Sequence, residues 1–160
     1  MTSNSFDLAA AFGKTRRMFE KTTVRFLFCG LTLLSLCALA DDKAPVDPNS
    51  LPPVSPKKGV TYAADVQPIF AQSCYPCHGP KTQKPKGKLR LDSLEAVLKG
   101  GEDGPAVIAG DSAKSVLVAQ ISFKGDPDDY MPPPKNKDNL KQLTKEQIGL
   151  IRAWIDQGAK

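Results

Sequence analysis

The sequence predicts a small all-α domain with long Gly- and Pro-rich loops. Three observations predict it. Apolar residues between positions 60 and 160 recur at helical spacing. No stretch in that region alternates convincingly as a strand. Glycines and prolines crowd the segments 79–92, 100–110 and 122–143, between the apolar runs. The chain has 160 residues, enough for one such domain and not comfortably for two. It holds four cysteines, three methionines and one histidine. A lone histidine excludes a two-His zinc finger, a metalloprotease helix and a multi-histidine metal cage.

Residues 1–40 read as a signal peptide. Phe26 to Ala40 is 15 residues without a charge. That is shorter than the roughly 20 apolar residues of a membrane span, and it fits the apolar region of a secretory signal. Lys14, Arg16, Arg17, Lys21 and Arg25 precede it. Ala38-Leu39-Ala40 follows, with small residues at the positions read by a signal peptidase, so cleavage is expected after Ala40. Met18 offers an internal start with a shorter basic region. The leader carries five basic and two acidic residues, so residues 41–160 keep 17 and 15, a net +2 against +5 for the whole chain. Nothing in that balance argues for nucleic acid. The cysteines that remain are Cys74 and Cys77, and the one methionine is Met131.

Residues 41–59 are expected to be a Pro-rich disordered tether. Pro45, Pro48, Pro52, Pro53 and Pro56 fall there, with few large apolar side chains. The folded domain is expected over residues 60–160. Val66, Ile69, Phe70 and Ser73 share one face of a first helix, with Pro68 in its first turn. Ser93 opens a short helix with Leu94, Val97 and Leu98 inward and Gly100-Gly101 as its stop. Asp111 or Ser112 is expected to cap a third helix carrying Val116, Leu117, Ala119, Gln120 and Ile121. Thr144 to Gln147 forms a capping box for a last helix. Its inner face is Ile148, Ile151, Trp154 and Ile155, and it stops near Gly158. A chain with so few helical turns needs an organiser besides apolar side chains.

Cys74-Tyr75-Pro76-Cys77-His78 supplies one. It is C-x-x-C-H, the attachment sequence of c-type haem. Two thiols at this spacing add to the two vinyl groups of one porphyrin. The next residue, His78, is thereby held beneath the iron. Gly79 then lets the chain turn away. A zinc site is one soft ligand short, and a redox disulfide lacks its βαβ context. A second axial ligand must come from another residue, and no other histidine exists. Met131 stands in a polar loop followed by three prolines, so it is the candidate. Met/His ligation leaves no open iron position, which argues for electron transfer and against an enzyme. No acid–base or nucleophile constellation is seen. Haem attachment of this kind takes an unfolded, exported chain. General secretion is therefore preferred over the twin-arginine route that Thr15 to Lys21 resembles.

Further runs carry a family likeness. They are Asp65 to Phe70, Leu89-Arg90-Leu91-Asp92, Gly100 to Ala106, Ala109-Gly110-Asp111 with Ser115-Val116-Leu117, Met131-Pro132-Pro133, and Trp154 to Ala159. In this order, with CYPCHG, they resemble the planctomycete-type cytochrome c domain across residues 62–159. The resemblance implies a class I cytochrome c-like fold around one covalently attached haem c per chain. It implies His78 and Met131 as metal ligands and a periplasmic or cell-envelope location. The first and last helices are expected to cross with Phe70 and Trp154 at the contact. Arg90 is a candidate partner for a haem propionate. Lys81, Lys84, Lys86, Lys88 and Arg90 place five positive charges after the motif, which read either as a solvated loop or as a docking face for an acidic redox partner. The alternative function is a haem-based ligand-binding or sensing module in which Met131 is labile. Membrane contact is expected only through the signal segment.

Overall fold

The computed structural model describes residues 46–160. The expected signal peptide and the start of the expected tether lie outside the described residues. Among the described residues five α-helices follow one another: α1 (Gln67–Ser73), α2 (Tyr75–His78), α3 (Leu94–Lys99), α4 (Val116–Ile121) and α5 (Lys145–Asp156). Among the described residues there is no strand, only one isolated bridge between Gly101 and Gly104. No helix among them is long and apolar enough to cross a membrane.

A wide π-type turn, Tyr62–Val66, leads into α1, and the Thr61 hydroxyl caps it by accepting from Ala64 N. Pro68 occupies the first turn of α1, where its missing N–H costs no helical bond. Ser93 caps α3 through Ala96 N. The capping box of α5 is complete, with the Thr144 hydroxyl accepting from Gln147 N and the Gln147 side chain accepting from Thr144 N. All four inner residues of α5 are buried. They pack with Tyr62, Val66, Phe70, Val97, Leu117, Val118 and Ile121 as one core.

Four expectations change. Leu98 points outward and is 41% exposed; a helix of six residues has one inner turn, which Val97 fills. α4 starts later than expected, after Ser115, whose side chain does not cap it, because Asp111 caps a separate turn by accepting from Lys114 N. Phe70 and Trp154 do not form the ring contact between the first and last segments. Tyr62 stands between them, with ring centroids 6.3 Å from Phe70 and 5.8 Å from Trp154. The Pro-rich stretch is in part docked rather than disordered. Leu51 is buried, Ser55 N donates to Gly149 O at 3.0 Å, and Arg152 donates to the Pro52 carbonyl. Prolines cannot donate, but their carbonyls accept, as Pro52 O does from Arg152, while Ser55 supplies the N–H that the Gly149 carbonyl of α5 takes.

The long loops are held by polar ties. Ser112 N and Oγ donate to the Asp156 carboxylate at 2.7 and 3.0 Å, and Arg152 Nε donates to Ser112 Oγ at 3.1 Å. Gly110 N donates to Ile155 O at 2.8 Å. The Asn136 side chain closes the loop after the prolines, donating to Pro133 O and Leu140 O and accepting from Leu140 N.

Candidate functional site

The site begins where α1 ends. Cys74 N donates to Phe70 O at 2.8 Å, closing α1. Cys74 O then accepts from Cys77 N at 3.1 Å and His78 N at 2.9 Å, which winds the single turn of α2. That turn brings both cysteines and the histidine to one end of the opening helix. Both thiols are unpaired and half-buried. Burial, with the neighbouring Cys77 second, pushes the Cys74 thiol up to about 12. A redox-active thiol shows the opposite tendency, a lowered value that gives thiolate at neutral pH. Among the described residues no group of three His, Cys, Asp or Glu side chains could hold a metal ion.

Gly79 follows with extended backbone. A Cβ there would lie 2.5 Å from Tyr75 O and from Tyr75 Cβ, so only glycine permits this exit. The chain makes an excursion through the lysines and returns at Leu89. There Leu89 O receives the His78 Nδ1–H at 2.9 Å, and Leu91 N donates to His78 O at 2.9 Å. The carbonyl fixes the tautomer and leaves Nε2 as the nitrogen free to bind a metal. His78 itself is buried. The Leu91 carbonyl is anchored in turn by the Tyr62 hydroxyl at 2.9 Å, and Asp92 O by Gln67 Nε2 at 3.2 Å. Burial, then the nearby Tyr75, raises the Tyr62 phenol above its ordinary value. The Tyr75 hydroxyl is buried without a hydrogen-bond partner. Two unpaired thiols, an oriented imidazole and an orphaned phenol in one turn fit a covalently held haem.

Arg90 joins this group, facing protein. Its guanidinium donates to Gly79 O at 3.0 Å, Thr82 O at 3.2 Å and the Asp92 carboxylate at 3.2 and 3.3 Å. That bond is the largest reason the Asp92 carboxyl titrates below its usual range. Met131 lies on the loop after α4. Its backbone N donates to Gln120 O at 3.2 Å, and its side chain is half-buried against the core. Beside it, Tyr130 stacks on Phe123 at 4.7 Å. Lys81, Lys84, Lys86 and Lys88 are exposed, and Lys88 pairs with Glu102 at 3.3 Å.

Sequence reasoning missed Tyr62 and Asp92 as supports of the site. Their signal was present. Asp92 follows Arg90 by two residues, and Tyr62 precedes the helix that carries the motif.

Residues 74–135 match the family model described as Planctomycete cytochrome C. The match spans the thiols, the histidine, the lysine loop, the Leu-Arg-Leu-Asp run and Met131. The flanks 62–73 and 136–159 lie outside it. No curated protein and no solved structure gives a significant match.

Proposed function

From the match of residues 74–135 to the Planctomycete cytochrome C family model, a family whose chemistry is covalent haem c and electron transfer, we propose that the protein is an exported mono-haem carrier of single electrons. When bound, the haem supplies a one-electron couple, and the protein supplies attachment, orientation and electrostatics. Cys74 and Cys77 hold the porphyrin through thioethers. His78 Nε2 and Met131 Sδ would bind its iron. The observation that carries the reading is the His78 ring. It is buried, locked through Nδ1 on Leu89 O, and set one residue from a thiol.

The exposed lysines of the 79–89 loop favour an acidic redox partner in the cell envelope. Their field would steer its approach, and salt would screen it. Electron exchange with such a partner slows as ionic strength rises; a flat salt profile removes the docking role.

The test is expression of the full chain with a haem-attachment system. A covalent c-type spectrum that is lost on Cys74→Ser/Cys77→Ser supports the carrier. No covalent haem refutes it. Carbon monoxide separates the carrier from a ligand sensor. Slow or absent binding is expected for the unmodified protein and rapid binding for Met131→Ala. Rapid binding to both assigns the protein to the sensing class.

A further inference from the structure

The Leu89–Asp92 run does more than carry an arginine. The chain between Gly79 and Leu89 is a closed excursion whose two ends meet at the axial histidine. One end is Gly79, joined directly to His78. The other is Leu89, whose carbonyl holds the ring. Between them the loop is lysine, proline and glycine apart from Thr82 and Gln83, and one backbone bond, Leu91 N to His78 O at 2.9 Å, already brings the ends together; what remains to be set is the position of the Leu89 carbonyl.

Arg90 sets it. Its fork reaches back to Gly79 O and Thr82 O, at the start of the excursion, from the residue next to Leu89. Asp92 holds the fork from the other side through two oxygens. Thr82 is seated in turn, its hydroxyl facing Tyr75 O and Pro76 O at 3.4 Å. The ion pair is partly exposed, and pairs of that kind add little to stability. Its value lies in geometry. A planar guanidinium can bind several fixed acceptors at once, and an ammonium cannot reproduce that fork.

We propose that the Arg90–Asp92 pair is a positioning device for His78, fixing the Leu89 carbonyl against Nδ1 so that the imidazole plane has one orientation. This rests on the haem reading above. It assigns Arg90 a role on the protein side of the ring, in place of a salt bridge to a propionate. Residues that orient a ligating histidine tune metal sites as strongly as some ligands do.

The test uses the oxidised holoprotein by NMR. Haem-methyl shifts report the orientation of the axial imidazole, and exchange of the His78 ring N–H reports its bond to Leu89. Arg90→Lys and Arg90→Ala should both change the spread of the methyl shifts. Both should speed ring N–H exchange by about tenfold, the worth of one hydrogen bond. Asp92→Asn should do so partially, and Lys84→Ala, exposed in the middle of the loop and away from both ends, should do nothing. Unchanged shifts and exchange overturn the proposal, even where thermal stability falls. So does full rescue by lysine, which would mean that charge alone matters. If Arg90→Ala fails to accumulate, Arg90→Lys and Asp92→Asn decide by the same criteria. Absence of covalent haem in the unmodified protein is a different failure, that of the haem reading itself.

Discussion

Gly149 lies in the middle of α5, facing the docked Pro-rich stretch. A Cβ at this position would stand 2.5 Å from the Pro53 carbonyl oxygen. Alanine in place of glycine inside a helix ordinarily stabilises by about 1 kcal/mol. Here the sign should reverse. The stretch must lift, and Gly149→Ala should cost about 1–3 kcal/mol by the usual measure of overpacking. A thermal melt of the holoprotein reads it, and a raised midpoint would show that the stretch is not seated. Asp65 gives a second prediction. Lys57 and the Thr61 N–H hold its carboxyl below the ordinary range, the lysine first. A depressed folded value contributes stability above the unfolded pKa, near 4, and loses it as pH falls through the folded value. Asp65→Asn should therefore flatten the acid side of the stability profile below about pH 4. An unchanged profile would assign the acid sensitivity elsewhere. At this scale the sequence was uneven. The C-x-x-C-H spacing announces its own chemistry. The Arg90 contacts are set by a return of the chain ten residues later, and no local pattern encodes that.

Among the elements, α5 was the most legible. Its capping box and its inner face Ile148, Ile151, Trp154 and Ile155 appear in the structure as the spacing predicts. Thr144→Ala should remove the hydroxyl that accepts from Gln147 N and cost about 1 kcal/mol. Chemical denaturation measures this, and a loss below about 0.3 kcal/mol would show the Gln147 half of the box suffices. Short elements were less legible. α3 and α4 have six residues each, so one outward or inward turn decides the face, and periodicity cannot choose. Leu98 and Val116 both point to solvent for this reason. The contact between the opening segment and α5 was assigned to Phe70. The π-type turn before α1 moves it to Tyr62, and hydrophobic spacing carries no sign of such a turn.

The described residues share one apolar core, and much of the chain around it is loop. Polar ties such as Ser112 to Asp156 and Asn136 to Leu140 set the path of those loops. They add little net stability each. A covalently held haem would add a large apolar surface at the site. A Cys74→Ser/Cys77→Ser chain should therefore lose most of its helical circular dichroism. Retention of the full helical signal would show that the polypeptide core is sufficient. The all-α class was visible in the sequence because absence of alternation is a global property. The extent of the folding unit was not, because proline content signals an extended backbone without saying whether that backbone is packed.

The docked segment bears on where this protein can be trimmed. Composition alone would suggest starting a minimal chain at Val60. That cut removes the Pro52 carbonyl from Arg152, a residue only 8% exposed, and uncovers the flank of α5 at Gly149. A buried donor stripped of its acceptor costs about 1–3 kcal/mol. The shortest fragment that keeps its own fold intact begins ahead of Leu51, and most of the proline segment travels with it.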